Sequence, residues 1–312
     1  MYDIFNSGNQ LALLTAPYGY PPRRTACPAP PHACRDNQDP RIKVLEPLWT
    51  GLVVPRIPPP GDVKHALATE APQMTQFATW LEGELAVSRL SNKPVCTVRP
   101  ILLHGRPGVG KTYFAKAIAR ALGLPSHLMS LASSSDSRTL MGTSAGYATG
   151  AACLPVRIMA TTGCIAPTII LDEIDKGAVK SSNGAWVDGL LPFLEAVSAR
   201  GLMDEFLLTE VDVSHVVWIA TANRIDLIPP ALLSRFSCFE MTRPANGCPS
   251  DLFAPAIRSL AQDLDVPAAT LADLLGPVIE DGISLPTDPT IRAVKASLRV
   301  ALGALLQAAT QH

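Results

Sequence analysis

Net charge is nearly absent from this sequence. The 26 Lys and Arg residues stand against 27 Asp and Glu, a formal balance of −1. That excludes a strongly basic surface of the kind that holds nucleic acid by bulk electrostatics, and leaves only a local patch for such a role. C-x-x-C pairs are missing as well. The seven cysteines are scattered and odd in number. Cys27 and Cys34 flank His32, but the six residues between them exceed the spacing of a zinc knuckle, so thiols in a reducing cytoplasm are expected. No uncharged apolar run reaches membrane length. No basic residue precedes Leu11-Ala12-Leu13-Leu14, and that run is too short for a signal-peptide core. A cytoplasmic protein without a membrane partner is the expectation. There is no internal repeat. What the chain does have is apolar content, 47% of 312 residues, enough for one large or two ordinary domains.

Proline divides the chain. Residues 1–61 are rich in it and end in Pro58-Pro59-Pro60-Gly61, which excludes long helices and central strands. An irregular leader is expected there, laid against the rest through Leu45, Leu48 and Trp49. Residues 62–97 form a helical segment, with Met74, Phe77, Leu81 and Leu85 at helical spacing. From 98 to 244 strand-like runs alternate with helical ones: Ile101–Leu103, a weaker His127–Leu131, Thr168–Leu171 and Val216–Ala220 as strands, Ala151–Thr161 and Trp186–Val197 as helices. Such alternation predicts an α/β fold, a parallel sheet covered by helices on both faces. Beyond Pro244 the pattern is helical only, over Leu252–Leu264, Ala268–Val278 and a last helix after Pro289 that aligns Ile291, Val294, Leu298, Leu302 and Leu305. Residues 245–312 therefore read as a small all-helical lid.

The chemistry begins at Gly105-Arg106-Pro107-Gly108-Val109-Gly110-Lys111-Thr112, a complete GxxxxGKT phosphate loop between an apolar strand and the Ala-rich helical run Phe114–Leu122. Glycines let backbone N–H groups close around phosphate oxygens, and a helix N-terminus adds partial positive charge. Lys111 is placed to reach the β- and γ-phosphates of ATP, and Thr112 to offer its hydroxyl to Mg²⁺. A second signature, Ile169-Ile170-Leu171-Asp172-Glu173, delivers carboxylates to the C-terminal edge of the sheet. Asp172 suits Mg²⁺, and Glu173 suits polarising an attacking water. Asn223, ending Ala220-Thr221-Ala222-Asn223, could bond the γ-phosphate or that water. Alone, it would equally be a turn residue.

Together, Asp172-Glu173-Ile174-Asp175-Lys176, Thr221-Ala222-Asn223 and Ile228-Pro229-Pro230-Ala231-Leu232-Leu233-Ser234-Arg235 resemble the ATPase module of the Lon proteases, within the AAA+ superfamily of P-loop NTPases. The resemblance runs from about residue 98 to the C-terminus. It implies that Asn223 is the first sensor and that Arg235 is an arginine finger reaching the nucleotide of a neighbouring subunit in a homo-oligomeric ring of six. A guanidinium suits that task, being always charged and forked. Met141 to Gly150 is similar to the first pore loop of Lon-type rings, which implies that Tyr147 grips a polypeptide substrate. From the residues alone, it is equally a turn with one packing tyrosine. Arg292 stands where the family has its second sensor; a solvated helix-start arginine fits the residues as well. The chain departs from the family too. Arg106 replaces a proline, and Ala148 a bulkier aliphatic residue. The first 97 residues have no family counterpart, and no serine–lysine peptidase domain is expected before the chain stops at His312. The reading is an ATP- and Mg²⁺-dependent ATPase that remodels proteins. Its alternative is a clamp-loader-like switch linked to nucleic acid, since clamp loaders share the Ser234-Arg235 style of finger. A nucleotide-gated scaffold is a third class, which the intact Glu173 argues against.

Overall fold

In the computed structural model, residues 23–27, 39–90, 95, 97–131, 138–180, 185–242, 250–283, 285 and 290–309 are described. Leu11 to Leu14, His32, Cys34, Pro244 and Pro289 lie outside them. The chain first forms β1 (Arg23–Arg24), α1 (Pro40–Lys43), α2 (Pro47–Thr50), β2 (Leu52–Val53), α3 (Pro60–Glu70) and α4 (Thr75–Leu90). The α/β part follows with β3 (Ile101–His104), α5 (Lys111–Ala121), β4 (Ser126–Ser130), α6 (Arg138–Met141), α7 (Leu154–Thr162), β5 (Thr168–Asp172), α8 (Ile174–Lys180), α9 (Ala185–Leu194) and α10 (Ala196–Arg200). It closes with the hairpin β6 (Leu202–Asp204) and β7 (Thr209–Val211), then β8 (Val217–Ala222), α11 (Pro230–Leu233) and β9 (Ser237–Glu240). Three helices end the chain: α12 (Ser250–Leu264), α13 (Ala268–Asp281) and α14 (Ile291–Ala309).

The central sheet is five-stranded, in the order β4-β5-β8-β3-β9. Every pairing in it is parallel. Successive residues face opposite sides, as the pleat requires. Ile101 and Leu103 of β3, Ile170 of β5 and Val217 and Ile219 of β8 share one core cluster. Leu102, Ile169, Leu171, Trp218, Ala220 and Ala222 enter the other. The first face is covered by α3, α4 and α5, where Phe77, Leu81 and Leu85 are buried with Phe114 and Ile118. Phe77 meets Phe114 and Phe239 edge-on, at 5.4 and 5.0 Å between ring centres, which joins α4 to α5 and to β9. The second face is covered by α2, α7, α9 and the hairpin. This is an α/β fold, a parallel sheet covered by helices on both faces, with a helical region after it. The C-terminal helices pack around their own core of Ala256, Leu260, Leu271, Leu275, Val294, Leu298 and Leu302.

Several elements differ from the sequence expectation. Helix α7 begins at Leu154, not Ala151, because Ala151 is engaged in an antiparallel bridge to Thr143 and Pro155 occupies the first turn of the helix. The expected helix Trp186–Val197 is two helices, parted at Glu195 in an extended conformation just after Pro192. The hairpin and β9 match no strand that the sequence pattern predicts. In the Pro-rich region, α1, α2 and α3 each open on a proline, the helix position where its missing N–H costs nothing. Leu45 and Leu48 are buried in the second core, with Trp49 partly buried against it.

Leu48 is fully buried although it precedes the sheet by some fifty residues. Leu48→Ala should lower the free energy of unfolding by about 2–5 kcal/mol, the range for deleting a buried leucine side chain. A urea titration checks this; an unchanged midpoint would show that the α1–α2 segment contributes nothing to the second core.

Candidate functional site

The phosphate loop lies at the C-terminal end of β3. Gly105 leaves the strand with φ +145°, and a Cβ there would sit 2.3 Å from the Met241 carbonyl oxygen, so only glycine fits. The loop turns at Gly108 and Gly110, and Val109 between them is buried. Gly110 caps α5, whose first residue is Lys111. Pro107 and Arg106 are exposed. Lys111 is 7% exposed. Its Nζ donates to the carbonyls of Gly105 (2.8 Å) and Arg106 (2.9 Å) and to Asn223 Oδ1 (2.9 Å). Burial pushes the ammonium's pKa down; Asp175, Asp172 and Glu173 oppose that shift.

Strand register supplies the rest. In the β5–β8 pairing Leu171 stands opposite Ala220, which carries Asp172 beside Thr221 at the same sheet edge. Asp172 Oδ1 accepts from Thr112 Oγ1 at 2.7 Å and from Thr221 Oγ1 at 2.6 Å. The Thr221 hydroxyl in turn accepts from the Glu173 backbone N–H at 3.1 Å. Glu173 holds φ +58°, a left-handed conformation that an L-residue with a long side chain seldom takes. Strain of this kind gathers at sites where direction matters, and here it turns Glu173 away from the line of β5. Its carboxylate pairs with Lys176 Nζ at 2.6 Å, at the partly exposed end of the cluster. Asp175 is 3% exposed and accepts from the Arg224 N–H, while its Oδ1 has no hydrogen-bond partner among the described residues.

Lys111, Thr112, Asp172, Glu173 and Asn223 thus converge at one edge. The other candidates do not join them within this chain. Arg235 lies beyond α11, where Nε and Nη2 donate to Glu195 Oε1 and Nη1 to the Ala231 carbonyl. Hydrogen bonding from Arg235 first, then from Ser198, holds the Glu195 carboxyl below its usual pKa. Tyr147 is 67% exposed on the loop between Thr143 and Ala151. Arg292 is exposed in the first turn of α14 and makes no ion pair among the described residues. Its neighbours do touch the loop: a Cβ on Gly108 would lie 2.7 Å from Thr290 Cγ2, and one on Gly110 2.8 Å from Ile291 Cδ1.

A hydroxyl and a carboxylate are hard oxygen donors that suit Mg²⁺, and a buried ammonium behind a glycine loop suits a polyphosphate. The residues therefore fit Mg²⁺-ATP. Among the described residues no group of three or more His, Cys, Asp or Glu side chains could hold a metal by itself, so a cation here would take the Thr112 hydroxyl beside Asp172. No helix among the described residues is long and apolar enough to cross a membrane. Sequence reasoning gave no role to Thr221, Lys176 or Glu195. Thr221 was visible beside Asn223, but its hydroxyl acquires a task only through the register of β5 and β8. The Arg235–Glu195 pair spans forty residues and left no local signal.

The region that holds this site is similar to known proteins. Residues 101–243 match the family "ATPase family associated with various cellular activities (AAA)". The chain is 35% identical over 182 residues to the Lon protease of Amoebophilus asiaticus, covering 57% of this chain and 21% of that one. It is 32% identical over 179 residues to the mitochondrial Lon protease homolog of Yarrowia lipolytica, covering 57% and 15%. With the Lon protease of Cytophaga hutchinsonii it shares 37% over 160 residues, covering 50% and 19%. The chain thus spans about a fifth or less of the length of these curated relatives.

Thr221→Val keeps the shape of the side chain and removes the one hydroxyl that bridges Asp172 and the Glu173 backbone. Turnover of ATP should fall about 10- to 100-fold, the cost of losing about one or two hydrogen bonds to a charged group. Nucleotide affinity should change much less. Equilibrium binding beside steady-state turnover checks this; wild-type turnover in the variant would remove Thr221 from the site.

Proposed function

We propose, on the premise that residues 101–243 are an AAA-family domain similar to Lon proteases, that this protein hydrolyses ATP with Mg²⁺ in a ring of identical subunits and uses the cycle to remodel polypeptides. The observation that carries the reading is the convergence of Lys111, Thr112, Asp172, Glu173 and Asn223 at one sheet edge. The division proposed is a nucleotide domain over 98–244 and a lid over 245–312, preceded by the leader 1–61 and the helical segment 62–97.

When bound, Mg²⁺-ATP would supply an electrophilic γ-phosphorus and the cation that neutralises its oxygens. The chain's own residues do the remainder. The loop N–H groups from Gly105 to Gly110 and the Lys111 ammonium bind phosphate oxygens. Thr112 and Asp172 would hold the cation. Glu173 orients a water and takes its proton once Lys176 releases the carboxylate. That ion pair is half exposed, so opening it costs no more than about 1 kcal/mol. Asn223 bonds the water or the γ-phosphate from the end of β8. Arg292, next to the lid residues that overlie the glycines, reports on nucleotide to the lid. Arg235 serves the neighbouring subunit, which accords with its lack of any bond to its own loop. Its partly exposed pair with Glu195 leaves the guanidinium open to exchange for a phosphate.

Glu173→Gln should retain ATP but slow hydrolysis about 100-fold or more, the usual contribution of a general base. Arg235→Ala should also retain ATP and lose roughly three orders of magnitude in turnover. Mixing the two variants should restore part of the activity, because some interfaces then pair an intact Glu173 with an intact Arg235. Mixed rings without any restoration would place Arg235 outside the trans interface. A loss of less than threefold in Glu173→Gln would point to another base, such as Asp175.

Tyr147→Ala separates polypeptide remodelling from a DNA-linked switch. An exposed aromatic ring grips substrate by apolar contact and adds little to phosphate chemistry. ATP turnover without substrate should stay within about twofold of the parent, a surface change being small in effect, while stimulation by unfolded casein should disappear. Stimulation by DNA and not by casein, with Tyr147→Ala silent, would instead favour the clamp-loader-like reading.

A further inference from the structure

Three segments far apart in the chain meet at the guanidinium of Arg41. The first is its own short helix α1 in the Pro-rich leader. Asp39 caps that helix, accepting from the Arg41 backbone N–H at 2.9 Å, and takes the Arg41 side chain on both carboxylate oxygens, with Nε at 3.1 and 3.0 Å and Nη2 at 2.7 Å. The second is the Tyr147 loop. Arg41 Nη1 donates to the carbonyls of Tyr147 (3.3 Å), Ala148 (3.3 Å) and Gly150 (3.4 Å). The third is the β6–β7 hairpin, whose buried Phe206 lies with its ring centre 5.4 Å from Arg41 Cζ.

Each contact uses a different part of the planar cation. One edge forks onto a carboxylate, an Nη nitrogen reaches the carbonyls, and the central carbon lies over an aromatic ring. The recipient loop is a closed unit. Thr143 and Ala151 exchange backbone bonds at its neck (2.8 and 3.1 Å), and Gly150 N–H donates to Tyr147 O at 2.8 Å. That closure turns three carbonyl oxygens to one side, a concentration of negative dipole that a cation satisfies. The exposed side chain of Tyr147 belongs to the same loop, and the hairpin exposes Met203 (60%) and Leu208 (67%). The leader also grips the hairpin at its base, where Asp212 N–H donates to Ala26 O at 3.0 Å and Arg24 lies 3.6 Å from the Asp212 carboxylate.

We propose that Arg41 is a positioning residue that locks loop 143–151 to the β6–β7 hairpin, so that Tyr147 and the hairpin's exposed apolar side chains meet an extended, unfolded polypeptide at fixed spacing. The leader thereby has a task in substrate engagement, apart from the nucleotide site. The polypeptide part rests on the reading of Tyr147 given above; the lock itself does not.

Hydrogen exchange of the full chain, together with ATP turnover against casein concentration, tests this. In Arg41→Ala, amides of 143–151 should exchange roughly tenfold faster, the scale of losing a charge-assisted hydrogen bond. The half-saturating casein concentration should rise several-fold, with turnover in the absence of casein unaltered. A general loss of structure would not split the two constants in this way. Arg41→Lys, which keeps charge and stem but not the fork, should fall between parent and Arg41→Ala in both readouts. Unchanged exchange in the loop would overturn the lock. So would acceleration spread over the whole chain. If loop exchange quickens while neither Arg41→Ala nor Tyr147→Ala alters the response to casein, the lock stands and the polypeptide reading falls.

Discussion

A single carboxylate oxygen, Asp172 Oδ1, accepts one hydroxyl from α5 and another from β8. Asp172 itself ends β5, so the phosphate-loop helix and two central strands are pinned at one atom. Everything nearby takes its bearing from that point. Thr221, fixed by its donation to Asp172, presents its lone pair to the Glu173 N–H, and the chain can then turn through a left-handed residue into α8. The parallel order of the sheet makes this possible. β3, β5 and β8 are neighbours and run the same way, so their C-terminal ends, His104, Asp172 and Ala222, reach one edge together.

The lysine beside it follows a second constraint. A buried ammonium is costly unless every donor finds an acceptor. Lys111 meets this with two carbonyls of its own loop and the amide oxygen of Asn223. Those bonds keep the side chain folded over the glycines. Three carboxylates, at Asp172, Glu173 and Asp175, favour its charged form against burial. The same acids that suit a cation and a water therefore help to keep the phosphate-binding cation charged, and the site cannot lose one of them without altering the others.

This part of the molecule was legible in the sequence because the information was local. The loop is contiguous, and β3, β5 and β8 are central strands buried on both faces, so each reads as an unbroken apolar run followed by the residue that matters. β9 alternates half-exposed and exposed residues over only four positions at the sheet edge, and such a pattern is too short to stand out. The hairpin was hidden for the same reason, with three residues in each strand. The leader's proline density argues against long helices, yet Pro40, Pro47 and Pro60 each start a helix, since proline is excluded from a helix interior and not from its first turn. Pairings such as Arg235 with Glu195 or Arg41 with the Tyr147 loop depend on chain folding over distances that no local pattern encodes.

The lid adds a further demand on the phosphate loop. Gly108 and Gly110 take positive φ, which accounts for glycine by backbone conformation alone. Thr290 and Ile291 also press so close that a Cβ at either position would lie under 3.0 Å from a lid side chain. The two glycines thus leave room for phosphate on one side and for the start of α14 on the other. A second tie forms one residue past Thr112. Tyr113 donates to Glu70 at 2.6 Å and accepts from Arg258 of α12 at 3.2 Å, while Arg258 pairs with Glu70 at 3.1 Å. Desolvation first, then the bond to Glu70, raises the pKa of the phenol, which keeps its proton in that bond. The lid therefore touches the nucleotide loop at α14 and the following helix at α12. A shift of the loop's backbone that moved α5 would be felt by the lid at two separated points. Contact at two points transmits rotation as well as displacement, as a single hinge contact would not.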